Sequence, residues 1–319
     1  MTTQHFLKSR MPHSLSESSR GLISLGLAQF MWGTLPLFWL LLADTDASKA
    51  VGYRIVSSFF FALALAFLMG QWVPFRKIFD DTKSLKIATL AGLIITVNWC
   101  LYVYAVLSGH ILEAALGLFL TPLLTVIAGV VFLREKLRSW QWVSVGLGGI
   151  AVVVVAAGYG RFPWLAVGIA IAVAIYSLLK KHLSYPPMAG LAIETALPAI
   201  GAAGFIAVTQ LHSVIPLDRP SLTETALLIA SGVVTTVPLA FLAHALQRVP
   251  LTTVGIAQYL NPILQFIVGL FVAHEAVGAT KWAGFVLVWI ALATFTAESI
   301  RHQRRNMRSY EAEIMPEPV

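Results

Sequence analysis

Four ionisable side chains lie inside long apolar stretches of this chain: Arg54, Glu113, Glu194 and His244. A charge held where water is scarce is costly, so each is a functional candidate by default. Glu194 is the deepest carboxylate, about two turns into its stretch, and no basic residue is evident at its depth from the sequence. Desolvation disfavours the charged form of an acid, which would suit Glu194 to carry a proton across a barrier. Arg54 and Glu113 sit at similar depth from one side and are placed to pair with each other. His244 lies near the end of its stretch, where snorkelling to an interface explains it equally well.

A second group is polar but uncharged. Gln258, Asn261 and Gln265, spaced i, i+3, i+7, form one stripe along a helix. Asn98 and Tyr102 make a similar face at i, i+4, and Thr121 lies on a third stretch with Thr125. Such groups can bind a small polar solute, or can bond helices to one another. Trp32, Trp99, Tyr102, Tyr104, Tyr176 and Tyr259 can stack on a planar solute or serve as packing. Pro122 and Pro262 fall mid-stretch, where each removes a backbone hydrogen bond and is expected to kink its helix and free a carbonyl.

The elements that must carry these residues are ten apolar runs, at about 22–42, 50–70, 87–107, 111–133, 141–158, 163–179, 188–208, 224–246, 251–273 and 282–298. A bilayer core of roughly 30 Å needs about 20 residues of helix, so each run can cross once. The chain is 58% hydrophobic and 12% charged, with mean hydropathy +0.79, and a water-soluble fold is excluded. Continuous runs such as Val152–Val155 exclude a barrel, whose strands alternate. The expected fold class is all-α integral membrane. The first run is too long for a signal peptide and is followed by Ala43-Asp44-Thr45-Asp46 rather than a cleavage pattern.

Placing both termini on one side puts 17 of the 22 basic residues in segments on that side and four, Lys49, Arg161, Arg219 and Lys281, on the other. The positive-inside bias makes that side the cytoplasm. It also accounts for the net charge of +7 without a nucleic-acid partner. In this topology Lys180 and Lys181 belong to a cytoplasmic loop.

The chain resembles itself at an offset of 140. Laying 90–155 on 230–295 without gaps gives fourteen identities in 66 pairs, among them Gly92/Gly232, Thr96/Thr236, Pro122/Pro262, Gly129/Gly269, Glu135/Glu275 and Trp142/Trp282. Each repeat then holds five helices, and an odd number inverts the second copy. The expectation is a cytoplasmic tail at 1–20, a first repeat at 21–159, a second at 160–298 and a cytoplasmic tail at 299–319. Inverted repeats are a signature of secondary transporters, which rock related halves about a site near mid-membrane.

Other classes lack their residues. There is no Gly-x-x-x-x-Gly-Lys-Ser/Thr loop for ATP, no Gly-x-Ser-Gly turn for an intramembrane protease, and no run with two histidines for haem. Cys100 is the single cysteine, so no internal disulfide forms. No enzyme activity, metal or cofactor is expected.

Asn98-Trp99 with Tyr102 and Ala105, then Leu112-Glu113-Ala114-Ala115-Leu116-Gly117, Phe119, Pro122-Leu123, Gly129, Phe132-Leu133 and Glu135, resembles the RarD group of EamA-domain transporters within the drug/metabolite transporter superfamily. Gly232-Val233-Val234-Thr235, Val237-Pro238-Leu239, Gln258-Tyr259, Pro262, Gln265-Phe266, Glu275 and Trp289 continue the likeness. So do Trp32-Gly33, Pro36 and Arg54 near the start, and Glu194 with Pro198. The likeness covers about residues 20–300. It departs at Ala114-Ala115, where Ala-Ser is expected, and at Asn261, where a small residue is expected. It implies ten helices in two inverted five-helix repeats, moving a small metabolite or drug across the inner (cytoplasmic) membrane. A lipid flippase or a non-transporting sensor is the alternative. The residues assigned to solute are Asn98, Tyr102, Thr121, Gln258, Tyr259, Asn261 and Gln265; those assigned to coupling are Glu194, Glu113 and Arg54. The expected partners are a small-molecule substrate and the lipid bilayer, with a homodimer left open.

Overall fold

The computed structural model describes residues 17–42, 44–108, 110–157, 162–212 and 221–272, with scattered residues between 282 and 297. Every regular element among them is helical. In chain order these are α1 (Glu17–Trp39, extended by a 3-10 turn Leu40–Leu42), α2 (Ala47–Leu68), α3 (Trp72–Asp80), α4 (Thr82–Leu107) and α5 (Ile111–Phe132). There follow α6 (Ser139–Ala157), α7 (Trp164–Lys181), α8 (Pro187–His212), α9 (Leu222–Leu246), α10 (Leu251–Ala257) and α11 (Leu260–Phe271). Among the described residues six helices are long and apolar enough to cross a membrane: those at Glu17–Leu42, Ser48–Leu68, Thr82–Tyr102, Trp164–Lys181, Pro187–Thr209 and Leu222–Leu246. The run at 282–298 lies largely outside the described residues.

Boundaries follow local chemistry. Asp46 caps α2, accepting from the backbone N–H of Ser48 at 2.9 Å and of Lys49 at 3.0 Å. These bonds, with that from the Ser48 hydroxyl first among them, hold its carboxyl below the usual range. Ser221 caps α9 through the N–H of Glu224. Two elements differ from the sequence expectation. The basic segment after α2 contains α3, whose Ile78 is buried while Val73 and Phe79 are exposed. The run 251–273 is not one helix: it breaks at Gln258-Tyr259, one turn before Pro262. Pro262 has no N–H to give the Gln258 carbonyl, which instead accepts from Asn261 at 3.1 Å in a tighter turn. The freed carbonyl is thus satisfied locally. Pro122, by contrast, sits within an unbroken α5.

Packing is the reverse of a soluble core. The most buried positions are rich in alanine, including Ala28, Ala62, Ala91, Ala166 and Ala189, while Phe60, Phe67, Phe132 and Ile200 face outward. Lipid solvates large apolar side chains as well as protein does, so close backbone approach through small residues drives assembly. The extensive contacts join α1–α5 to α7–α11: α5 with α7 and α10, α2 with α8 and α9, α4 with α7 and α8, and α1 with α9 and α11. Two glycines sit at the tightest of these crossings. A Cβ on Gly92 would lie 1.9 Å from the Glu194 carbonyl oxygen, joining α4 to α8. A Cβ on Gly232 would lie 2.5–2.6 Å from backbone atoms of Ser57 and Ser58, joining α9 to α2.

Gly92→Ala and Gly232→Ala should each lower stability by about 1–3 kcal/mol, because backbone must move to admit a methyl group. Gly26 and Gly201 have no neighbour within 4 Å of a built Cβ. Their alanine variants should therefore melt like the parent. Melting in detergent, followed by size exclusion, compares the four; equal losses at all positions would refute the crossing argument.

Candidate functional site

Seven helices enclose a cavity of about 270 Å³ at the centre of the bundle. α1 contributes Gln29, Trp32 and Trp39; α2 contributes Val51 and Arg54; α4 contributes Asn98, Trp99 and Tyr102. Leu118, Thr121 and Pro122 come from α5, Tyr176 from α7, Thr235 from α9, and Gln258, Asn261, Pro262 and Gln265 from the broken segment α10–α11. The two polar stripes read from the sequence therefore converge on one space. The amides of Gln258, Asn261 and Gln265 stay on one face across the tighter turn at Gln258-Tyr259, as their i, i+3, i+7 spacing dictates.

The stripes also bond helices. Asn98 Nδ2 donates to the Ile169 carbonyl of α7 at 2.9 Å. Gln265 Nε2 donates to Asn261 Oδ1 at 2.7 Å and to the Trp32 carbonyl at 3.5 Å. Thr121 returns its hydroxyl to the Gly117 carbonyl. Two cavity amides remain unsatisfied. Gln29, 1% exposed, has no hydrogen-bond partner at either Oε1 or Nε2, and neither does Gln258 Oε1. A buried amide without a partner costs about 1–3 kcal/mol, so these atoms call for a partner within the cavity. Gln29 was missed at the sequence level; the available signal was a single amide between Leu25 and Phe30.

Tyr259 stands apart from the other residues assigned to solute. It is 3% exposed, packs against Phe119, and its hydroxyl lies 2.2 Å from a Cβ built on Gly148 of α6, outside the lining of the cavity. Both residues keep helical dihedrals, and Tyr259, next to Gln258 in sequence, falls on a different face.

Glu194 also has surroundings the sequence did not suggest. It is 2% exposed, and it is not solitary: Lys180 Nζ lies 2.5 Å from Oε1, and the Tyr176 hydroxyl donates to Oε2 at 3.1 Å. Lys180 belongs to the last turn of α7 rather than to a loop, and is 5% exposed. The apolar run ended by hydropathy one residue before it, so the sequence reading put it outside. Tyr176 lines the cavity and Glu194 does not, so the ion pair sits one side chain behind the cavity wall. Arg54 is in the wall. Its guanidinium carbon lies 4.4 Å from the Trp99 ring centroid and 5.8 Å from that of Trp39. The Glu113 backbone is helical in α5, but its side chain lies outside the described residues, and so does the Arg54–Glu113 pairing.

The two ends of the bundle differ. At one, Glu135 accepts from the backbone N–H groups of Leu251 and Thr252 at 2.7 and 2.8 Å, capping α10. Lys181 donates to the carbonyls of Leu246 and Val249, and Arg248 pairs with Glu17 at 2.8 Å. His244 shares a 2.9 Å contact with Ser24 in the same region. At the other end, Lys49 meets Glu224 at 3.1 Å. The cavity wall climbs toward that end as far as Trp39 and Val51.

The chain is thus a helical membrane protein with small residues at its helix crossings and a largely apolar cavity that carries a few amides and the Arg54 guanidinium. A model of the EamA-like transporter family matches the chain twice, at residues 19–157 and 162–297. Protein RarD of Streptomyces exfoliatus is 38% identical, aligning 93% of this chain with 94% of that protein. The uncharacterized transporter YojE of Bacillus subtilis (strain 168) is 35% identical over 91% and 97%, and protein RarD of Escherichia coli (strain K12) 32% over 92% and 99%. One crystal structure shares the fold at a TM-score of 0.66 and 19% identity, covering 89% of this chain and 98% of the other. The chain belongs to the EamA-like transporter family. It is a RarD-type membrane transporter and not an enzyme.

The buried ion pair makes a prediction. Lys180→Met alone should destabilise the protein by about 3–5 kcal/mol, since it strands a buried carboxylate. Lys180→Met/Glu194→Gln should recover most of that loss. Denaturant melts in detergent measure both; a double variant no better than the single would show that the two charges do not depend on each other.

Proposed function

We propose that this protein is a secondary active transporter that carries a small metabolite or drug across the inner membrane by alternating access. The observation that carries the reading is the central cavity, whose polar wall is drawn from both segments that match the family. Arg54, Asn98 and Thr121 come from the first; Thr235, Gln258, Asn261 and Gln265 come from the second. Solute-binding pockets usually run from roughly 300 Å³ upward, so the cavity suits a small guest. Asn98, Tyr102, Thr121, Gln258, Asn261 and Gln265 are the proposed contacts, joined by Gln29; Tyr259 supports the break in its helix.

The architecture proposed is ten helices in two inverted five-helix repeats, 21–159 and 160–298. The packing supports it, because contacts exchange under the 140-residue offset. α4 on α8 through Gly92 becomes α9 on α2 through Gly232, and α4 on α7 becomes α9 on α1. With the basic end cytoplasmic, the Glu135, Lys181 and Arg248 contacts close the cytoplasmic side, and the cavity opens toward the outer side. Reporter fusions after Lys77, Arg138 and Lys181 should report cytoplasm, and fusions at Asp46 and Asp218 the exterior. The opposite pattern would reverse the assignment.

Coupling is assigned to the pair Glu194–Lys180, with Tyr176 linking it to the cavity. As the halves rock, separating the pair would leave the carboxylate free to take a proton on one side and release it on the other. A solute found by thermal stabilisation of the purified protein should accumulate in vesicles under a proton gradient. It should also protect cysteines at Asn98 and Gln258, in a Cys100→Ser background, from polar thiol reagents. Lys180→Met/Glu194→Gln should lose accumulation while keeping exchange at equal pH. Unchanged accumulation would leave the pair purely structural. Exchange of a lipid reporter with no solute flux would make the protein a flippase, and binding with no flux a sensor.

A further inference from the structure

Arg54 is the one charged side chain in the cavity wall among the described residues; no aspartate or glutamate lines that space. Its Nε is shut off from solvent and has no hydrogen-bond partner. The groups flanking the guanidinium are aromatic faces, Trp99 and Trp39. Those faces attract a cation and hold it flat, but they accept none of its in-plane N–H groups. An arginine needs acceptors in the plane of its fork, and a carboxylate supplies two at once. The cavity wall therefore holds a positive charge beside two indoles, with no hydrogen bond or ion pair to its side chain among the described residues.

The rest of the wall restricts the guest further. Trp32 and Trp99 offer apolar faces, while the unpartnered amides of Gln29 and Gln258 lie where a second polar group of a bound molecule would be met. An ammonium group would find no acid among the described residues of this wall and would face Arg54 across a small space, where like charges repel strongly. Building on the transport reading above, we propose that the solute is a small organic anion. Its carboxylate is received by Arg54, its apolar or planar body lies along the tryptophans, and a hydroxyl or amide group reaches the glutamines.

The test uses matched probes on the intact purified protein. Aromatic and aliphatic monocarboxylates, such as 4-hydroxyphenylacetate, are each compared with the neutral amide of the same skeleton and with the corresponding amine, here tyramine. Thermal stabilisation and tryptophan fluorescence read binding, and vesicle uptake reads transport. Carboxylates should bind at least about tenfold more tightly than their amides, and amines should not bind. Arg54→Gln should remove the preference by about 10- to 100-fold. Arg54→Lys, which keeps the charge but not the fork, should keep the ranking with weaker binding throughout. Both variants are scored only on protein that elutes as the parent does, and Arg54→Lys keeps the charge needed if Arg54→Gln does not assemble. The idea is overturned if no carboxylate binds, if amides or amines bind as well, or if Arg54→Gln leaves the preference intact. Uptake of a neutral or cationic solute would overturn the anion assignment and leave the transporter reading standing. Lipid exchange without any solute uptake would remove the transporter reading itself.

Discussion

Close approach of helix backbones at Gly92 and Gly232 is the constraint on which the rest of this structure depends. In lipid, large apolar side chains gain little by leaving the surface, so two helices hold together where their backbones can touch. Gly92 puts α4 against the carbonyl of Glu194, and Gly232 puts α9 against Ser57 and Ser58. Each crossing ties a helix of the first family segment to one of the second. The first also brings α4 onto the stretch of α8 that carries the buried carboxylate. The cavity is the space left where α1, α5, α7 and the broken α10–α11 cannot close over these two crossings.

Charges are distributed around that space by a simple logic. Glu194 and Lys180 satisfy each other behind the wall, with Tyr176 completing the carboxylate's bonds. A pair of this kind is neutral as a unit and can sit in a dry interior, whereas either member alone cannot. Arg54 has no such arrangement among the described residues, and it faces the cavity instead of the lipid. Two indoles lie beside its guanidinium, their centroids 4.4 and 5.8 Å from its carbon. Among the described residues, the pair behind the wall is neutral and Arg54 is the charge in it.

The break between α10 and α11 shows how one proline shapes a site. Pro262 has no N–H for the Gln258 carbonyl, and in the tighter turn that carbonyl accepts from Asn261 instead. Gln258 in that turn lines the cavity, and Tyr259 packs with Phe119. Pro122 occupies the matching place in α5 without a break, and its carbonyl lies against Gly255 of α10. The same residue at related positions therefore serves two ends: opening one helix, and seating its neighbour.

Much was legible in the sequence. Run length and hydropathy determined that the chain is a helical membrane protein, because the bilayer thickness dictates the length of each crossing. Spacing placed Gln258, Asn261 and Gln265 on a common face and Asn98 with Tyr102 on another, because a helix has a fixed period, and the 140-residue offset put Thr121 in register with Asn261. The paired motifs around Pro122 and Pro262 pointed to the family that the comparisons then showed. What the sequence left undecided is whatever depends on contacts between distant segments. The partner of Glu194 is 14 residues away on another helix, hidden in a run of two lysines that reads as a loop. Gln29 looked like an isolated amide until α1 met α9 and α11. The sequence groups Tyr259 with the solute residues beside Gln258, yet it lies off the i, i+3, i+7 stripe and packs against Phe119. Local pattern is set by bonds along the chain, whereas which charge meets which, and which amide is left without a partner, is settled only when the helices pack.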